Sequence, residues 1–253
     1  MKSRYLFLFV VLVSSVLAVS EAQTVRTDRE MDQLKGNVRS ALTTTRGTRG
    51  QVLGQPVRRV YNDKGNYDRV CYYDTAGTLS ITVDYEYDKK GRLVKDVRTL
   101  EPFSELLAVT TYTHDKKQNR IVVEVLNIND SICDNTVYTL DKNGNVLGIR
   151  LRDENGKSLS NTLKRYDKHN NQTDAYYFEG ENDISKGSER FRYDTDGNLV
   201  EKTSLYMEHV NRCILYTYEF DAKGNWVKQY AYHVYQNSAE FMQVTIREIK
   251  YFE

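Results

Sequence analysis

The chain has 253 residues, and its 36 basic and 35 acidic side chains leave a net charge of +1. This near-neutral balance argues against bulk binding to nucleic acid or to anionic membranes, because both depend on uncompensated Lys and Arg. The length is sufficient for a buried core, and a repeat array can form one cooperative unit at this size.

The N-terminus has the pattern of a secretory signal peptide. Lys2 and Arg4 precede an apolar run over residues 5–19, and small residues follow around Ala22. The pattern predicts a signal peptide over residues 1–22, since the run is shorter than the roughly 20 apolar residues of a membrane span. No Cys lies near the cleavage position to carry a lipid. We therefore expect a soluble secreted or periplasmic protein that is not a lipoprotein and has no membrane span after signal removal.

The region that follows has two interpretations. Thr27 or Asp28 could cap a short helix, whereas residues 36–38 (Gly-Asn-Val) match the end of later turns. We predict an N-terminal cap segment over residues 23–33 and a strand over residues 38–45.

One pattern recurs along the rest of the chain at a spacing of 26 or 27 residues. Each copy places a turn residue after an aromatic or apolar residue; these turn residues are Asn62, Asp88, Asp115, Asp141, Asp167, Asp194 and Asp221. A fixed period of this length is the signature of a stacked supersecondary unit. We predict an all-β array of antiparallel hairpins as a single domain over residues 34–253. Its roughly sixteen strands should form a meander sheet that coils, because open twisted sheets rarely exceed about ten strands.

Each copy indicates a strand, a tight turn and a second strand. Apolar and polar residues alternate before the turn, as in a half-buried strand. The Asp can accept backbone N–H groups while the Gly three residues later takes a left-handed conformation. Gln118 stands where most copies have Gly, so we expect the hairpin near Asp115 to be distorted or longer. Looser connections should follow half a period later, for example around residues 155–156.

The strand charges disfavour an outer-membrane barrel. The strand after Gly91 places Lys95 on one face and Asp96 with Arg98 on the other. A lipid-facing strand needs one face without charge.

Residues 87–93, Tyr-Asp-Lys-Lys-Gly-Arg-Leu, resemble the YD repeat of Rhs-type bacterial proteins. Residues 193–199 match the same unit with Asn198 in place of Arg. The resemblance implies an exported strip of β-hairpins with a carbohydrate-binding or cell-surface role. The chain is too short for the shell that encloses a toxic cargo in large members, so it resembles a small exported member without toxin cargo. The family supplies no catalytic residues.

The chain has three cysteines, Cys71, Cys133 and Cys213, which leaves at least one unpaired within a monomer. Cys133 and Cys213 lie three repeats apart, about 28 Å along a straight sheet at about 4.8 Å per strand. We predict buried, inert thiols.

The turn aspartates are abundant, but all of them have the same role in the same kind of turn. Catalytic carboxylates need environments that differ from one another, so these residues are not candidates for catalysis. We predict no catalytic residues, no metal site and no cofactor, because the four histidines are scattered over different units. The acidic loop over residues 179–183 could hold a cation or a basic partner, although a solvated loop is the favoured interpretation.

Aromatic residues that depart from the repeat phase are the candidate binding residues. They are Tyr176, Tyr177, Trp226, Tyr230, Tyr232 and Tyr235. Aromatic rings can stack on sugars, although recurring aromatics more often form a core.

The sequence therefore predicts an exported, non-enzymatic repeat protein that binds a carbohydrate or a protein at the bacterial envelope or outside it. Its partner would be a glycan or an envelope protein and not nucleic acid. One alternative is a glycan-active hydrolase with its site in the longer loops. The other is a structural or assembly component that acts through exposed edge strands.

Overall fold

The structure, a computed structural model, describes residues 27–127, 132–207, 209–235 and 238–253. The predicted signal peptide lies outside the described residues. The described residues form a short helix, α1 (Asp28–Met31), and sixteen strands. The strands are β1 (Val38–Gly47), β2 (Val52–Tyr61), β3 (Tyr67–Tyr73), β4 (Leu79–Tyr87), β5 (Leu93–Leu100), β6 (Glu105–Asp115), β7 (Arg120–Asn127), β8 (Ile132–Leu140), β9 (Val146–Arg152), β10 (Ser158–Tyr166), β11 (Gln172–Glu179), β12 (Ile184–Tyr193), β13 (Leu199–Tyr206), β14 (His209–Phe220), β15 (Trp226–Tyr235) and β16 (Ser238–Tyr251).

The strands form a closed up-and-down barrel. Each strand pairs antiparallel with the next one along the chain, and β1 also pairs with β16. Thr45 and Thr245 face each other at this seam, with their hydroxyls 3.1 Å apart. The predicted all-β class and hairpin meander are confirmed. The sheet closes where we expected it to coil, and closure pairs backbone groups that two free edges would expose.

Asp88 shows the geometry of the repeated turn. Its Oδ1 accepts the backbone N–H of Lys90 at 2.8 Å and that of Arg92 at 3.0 Å. Gly91 has a φ of +77°, a region that a side chain makes costly. The hydrogen bonds from the backbone and side chain of Arg92 lower the pKa of Asp88 to about 2. The same Oδ1 bonds recur at Asp141, Asp167, Asp194 and Asp221. The predicted turn chemistry is therefore confirmed.

The hairpin after Asp115 departs from this geometry, as predicted. Asp115 pairs with Arg120 and leaves four residues between them, whereas the backbone bond from Asp88 to Arg92 spans three. The positive φ, +47°, falls on Asn119 instead of Gln118. The loop is longer because Asn accepts this conformation more readily than Gln.

The opposite end of the barrel holds two further tight turns, at Asp74 and Asp153. Each Asp Oδ1 accepts two backbone N–H groups at 2.8–2.9 Å. Gly77 and Gly156 have φ values of +89° and +80°. The predicted loose connection around residues 155–156 is therefore wrong, because the same Asp-x-x-Gly chemistry closes this hairpin.

Side chains alternate between the inside and the outside of the barrel. On β8, Tyr138 points inward and is 2% exposed, while Thr139 is exposed on the outer face. Buried inward residues form two clusters. The first contains Leu34, Val38, Ala41, Tyr61, Tyr67, Val70 and Val83, and the second contains Leu93, Tyr112, Ile121, Val123, Tyr138, Leu140 and Val146.

Aromatic residues just before the turn join successive hairpins. The Tyr166 hydroxyl donates to the carbonyl of Val146, and the Tyr193 hydroxyl donates to that of Gln172, both at 3.0 Å. Each acceptor lies five residues after the preceding turn Asp. His114 occupies the same place, with Nε2 2.7 Å from the carbonyl of Leu93. The repeated tyrosines thus have a structural role.

Replacing this histidine should make stability less dependent on pH. Burial lowers the pKa of His114, so the unfolded chain binds its proton at a higher pH than the folded protein does. The stabilisation is complete above about pH 6.5 and is lost as the pH falls towards the lower folded-state pKa. We expect His114→Tyr to reduce the decrease in unfolding free energy between about pH 7 and pH 5.

Urea unfolding at several pH values would measure this effect. The wild-type protein, unfolded at the same pH values, is the reference. An unaltered slope in His114→Tyr would contradict the assignment.

Residues 27–37, which we call the N-terminal cap, lie across the mouth of the barrel where the repeated turns are. The cap begins with a capping box between Thr27 and Glu30 at the start of α1. Residues 23–26 of the predicted cap segment lie outside the described residues. The Gln33 side chain donates to the carbonyl of Gly197 at 2.8 Å. The backbone N–H of Lys35 donates to Asn225 Oδ1 at 2.6 Å. The cap therefore connects hairpins that are far apart in sequence.

Two carboxylates anchor the other side of the cap. Asp28 is 1% exposed and accepts the backbone N–H of Tyr67 at 2.7 Å and the Tyr87 hydroxyl at 3.2 Å. Asp32 accepts the hydroxyls of Tyr61 and Tyr67 at 2.5 and 2.9 Å. The cap thus supplies acceptors to the first hairpins.

Substitutions at two glycines can distinguish the loss of stability caused by poorer cap docking from the loss caused by backbone strain. Gly65 and Gly77 have φ values of +87° and +89°. A Cβ at Gly65 would lie 2.7 Å from the Arg29 guanidinium and 3.0 Å from Thr27, whereas no atom lies within 4 Å at Gly77. We expect Gly77→Ala to cost about 1–2 kcal/mol of unfolding free energy from strain alone, and Gly65→Ala to cost about 1 kcal/mol more.

Urea unfolding of the two variants checks this difference. Limited proteolysis should also cleave residues 27–37 faster in Gly65→Ala than in Gly77→Ala. Equal losses of stability with equal cleavage rates would show that the contact with the cap contributes nothing.

Cys71 is buried and free, and Cys213 is free and partly buried. Burial raises the pKa of the Cys71 thiol, which agrees with the predicted inert thiol at this position. The side chain of Cys133 lies outside the described residues.

Candidate functional site

The sequence-predicted binding residues do not come together. Trp226 points inward, is 7% exposed and lies 3.4 Å from the Arg247 guanidinium. Burial lowers the pKa of Arg247 to about 10. The Tyr177 hydroxyl also points inward and donates to Glu189 at 2.7 Å. These two aromatic side chains therefore belong to the barrel interior.

Three of the predicted residues lie on the outer face. Tyr176 stacks with the guanidinium of Arg165 at 5.2 Å. Tyr230 and Tyr232 lie on β15 beside Phe241, with ring centroids 6.5 and 5.9 Å from it. Four strand spacings, about 19 Å at about 4.8 Å each, separate β11 from β15. A single aromatic ligand platform is therefore not formed.

Tyr235 lies at the end of β15, with its ring centroid 3.9 Å from that of His233. It is 53% exposed. A role for any of these six aromatic residues in binding remains a prediction.

A different concave site lies on the outer face of strands β7 to β10. This site, which we call the arginine cleft, has a volume of about 600 Å³. Its lining residues are Arg120, Val122, Asn135, Val137, Thr139, Gly148, Ile149, Arg150, Arg152, Asp153, Glu154, Gly156, Asn161 and Leu163. Aliphatic walls combined with a few polar groups are typical of ligand sites.

Strand pairing places the cleft residues in rows. Val137 lies opposite Arg150, and Asn135 lies opposite Arg152. Gly148 lies between Thr139 on one side and Leu163 on the other. A Cβ at Gly148 would come within 2.6 Å of the Thr139 hydroxyl, so the Thr139 side chain covers the space above this glycine.

The charges of the cleft differ from those of the rest of the outer face. Cross-strand ion pairs elsewhere on that face join Arg69 to Asp84, Lys95 to Glu86, Arg192 to Glu201 and Lys228 to Glu219. Within the part of the chain that is described, neither Arg150 nor Arg152 forms an ion pair, and Arg152 Nε is buried without a hydrogen-bond partner. Arg120 Nε lies 3.4 Å from Asp115. Two cations of the cleft therefore remain available to an anionic ligand.

Sequence reasoning missed this cleft. Arg150 and Arg152 alternate with Ile149 and Leu151, which indicates a strand with one charged face. The neighbours that complete the cleft come from β7, β8 and β10, and only strand register shows which of their residues face it.

No group of three or more His, Cys, Asp or Glu side chains gathers at a metal-binding distance within the described ranges. Among the same residues, no helix is long and apolar enough to cross a membrane.

Comparisons with known proteins give weak likenesses only. No protein-family model and no curated protein matches the chain. A solved porin-like protein from Bacteroides uniformis is 11% identical, with a TM-score of 0.39 over 84% of this chain and 98% of that chain. A porin-like protein from Bacteroides vulgatus gives 11% and 0.37 over the same shares.

The solved TcdB2-TccC3 structure is 13% identical, with a TM-score of 0.33 over 81% of this chain and only 14% of that chain. At these scores the likenesses carry no functional argument. The YD-repeat resemblance therefore remains a prediction from the sequence.

Proposed function

We propose that the chain is an exported, non-enzymatic barrel of the YD-repeat type that binds a carbohydrate or a protein at the bacterial envelope or outside it. The arginine cleft carries this proposal. It is concave, has aliphatic walls, and opens on the outer face with two arginines that lack ion-pair partners among the described residues. Sites with this combination usually hold ligands.

The outer face of the barrel supports a water-exposed location. Its four cross-strand ion pairs place charged side chains on β3, β4, β5, β12, β13, β14 and β15. A lipid-facing Arg or Lys near the middle of a bilayer would cost about 2–4 kcal/mol. A soluble protein in the periplasm or outside the cell avoids this cost.

The state of the carboxylates supports a binding role over the hydrolase alternative. Asp153, at the end of the cleft, already accepts the backbone N–H groups of Asn155 and Lys157 at 2.9 Å. A glycoside hydrolase needs two carboxylates in different environments, one of them protonated. Asp153 is engaged in its turn, and Glu154 is its direct neighbour in the chain, so the two are not placed on opposite sides of the cleft.

Closure of the barrel supports a binding role over the assembly alternative that acts through exposed edge strands. The first and last strands pair with each other, so each strand has two neighbours. Strand addition needs a row of unpaired backbone groups.

The proposal is tested with the full chain, expressed with its own leader and recovered from the periplasm or medium. Labelled protein is applied to a glycan array and used to capture envelope proteins. We expect Leu163→Asp, at an exposed wall of the cleft, to lose the binding and Tyr232→Ala to keep it. Reducing-sugar release should be absent. Failure to bind any glycan or envelope protein would disprove the proposal, and loss of binding in Tyr232→Ala alone would move the site to the aromatic residues of β15.

A further inference from the structure

We propose that the arginine cleft docks an extended acidic peptide segment of a partner protein. This inference rests on the proposed function and selects a protein ligand within it. The ligand carries two carboxylates at alternate positions, an apolar side chain on one side of them and a basic side chain on the other.

The spacing of the two arginines carries the first step. Arg150 and Arg152 are two residues apart on β9 and face the same side. Their Cα atoms are thus separated by about 6.6 Å, the same rise that separates every second residue of an extended peptide. A Glu-x-Glu segment that lies along β9 can therefore present one carboxylate to each arginine.

The chemistry of the guanidinium groups supports carboxylates as the ligand. Arg presents planar paired donors that match the two oxygens of a carboxylate. Arg150 is exposed, and Arg152 Nε is buried with no hydrogen-bond partner among the residues described. The hydroxyl of Ser158, which pairs with Arg152 across strands, is also buried without a partner in the described part. Neither arginine would have to give up an ion pair with a described residue in order to bind a carboxylate.

The residues at the two ends of the cleft determine which ligand side chains flank the two carboxylates of the ligand. Gly148 precedes Arg150 by two residues, and its cross-strand neighbour Leu163 is 45% exposed. An apolar ligand side chain at this end of the cleft would cover Leu163. At the other end, Glu154 follows Arg152 by two residues and also lines the cleft. Along β9 the cleft thus offers an apolar wall at Leu163, then the two cations, then an anion. This order complements a ligand with apolar, acidic, acidic and basic side chains at alternate positions.

The walls favour a peptide over an acidic saccharide. Sugar rings are commonly held by aromatic faces, yet the described lining of the cleft contains Val122, Val137 and Leu163 and no aromatic ring. The amide of Asn135 can bond the backbone of an extended peptide, because it both donates and accepts. Glu154 would also repel a continuous polyanion.

The test uses the full chain and fluorescein-labelled peptides in an anisotropy titration. One peptide has the pattern Leu-x-Glu-x-Glu-x-Lys, with small polar residues at x. The control peptide has the same composition with the two glutamates adjacent. We expect the alternating peptide to bind at least about tenfold more tightly than the control, and to bind more weakly as salt rises.

Matched protein variants locate the binding. Arg150→Gln and Arg152→Gln should each weaken binding about tenfold or more, the loss typical of a charge-assisted hydrogen bond. Arg192→Gln is the control. Arg192 lies on β12, outside the cleft, and is already paired with Glu201 on β13. This variant should change the affinity for the peptide less than about twofold. Thermal unfolding verifies that each variant is folded.

Two results would overturn the inference while leaving the proposed function intact. One is equal affinity for the two peptides. The other is that the wild-type protein captures glycans but binds neither peptide, and that Arg150→Gln captures glycans as well as the wild type does. If neither peptides, glycans nor envelope proteins bind, the proposed function fails as well.

Discussion

We expect Tyr138→Ala to lower the free energy of unfolding by about 3–5 kcal/mol, the range measured when a large aromatic side chain is removed from a core. Tyr138 is 2% exposed and lies between Ile121 on β7 and Ile149 on β9. The truncation would leave a cavity that three adjacent strands cannot close without breaking their register. Urea unfolding followed by circular dichroism measures the loss, which corresponds to a fall in Tm of about 10 °C.

Thr139→Ala is the control for this prediction. Thr139 is the next residue, but it points to the outer face and is exposed, so the variant should change stability by less than about 0.5 kcal/mol. If the two variants had equal effects, the assignment of inner and outer faces on β8 would be wrong.

The second large effect is expected for Asp28→Ala, at about 3 kcal/mol. The Asp28 carboxylate accepts the backbone N–H of Tyr67 and the hydroxyl of Tyr87. Its loss removes the acceptor of a buried backbone N–H and of a part-buried hydroxyl, and an unsatisfied buried donor costs about 1–3 kcal/mol. Asp28→Asn should lose less, because the amide oxygen can still accept one of these bonds.

Unfolding in urea and hydrogen exchange of the Tyr67 amide measure the effect. Asp68→Ala removes an exposed carboxylate one residue from Tyr67 and should be close to neutral. A stable Asp28→Ala protein with a protected Tyr67 amide would show that the cap does not hold the first hairpins.

The strands and turns were predictable because their causes are local. Asp88 and Gly91 are three residues apart, and their turn needs only backbone N–H acceptors and a residue that tolerates positive φ. The strand expected after Gly91 lies at Leu93–Leu100. The turn at Asp153 uses the same local rule, and the error there came from assuming that tight turns occur at one end of the barrel only.

The candidate site was not predictable in the same way. The alternation of Tyr176 with Tyr177 indicates opposite faces, but it does not say which face is inside. Arg150 and Arg152 become part of a cleft only because β8 and β10 pair beside them. Such contacts depend on strand register, and a shift of one residue would move every side chain to the other face.

By itself, the sequence determined the all-β class, the hairpin period and the chemistry of most turns, because these depend on interactions between residues fewer than six positions apart. Tertiary structure alone decided that β1 meets β16, that the N-terminal cap crosses the mouth, and that the arginines of β9 line a cleft. These features join residues up to about 200 positions apart, and their energies arise only when the whole barrel has formed.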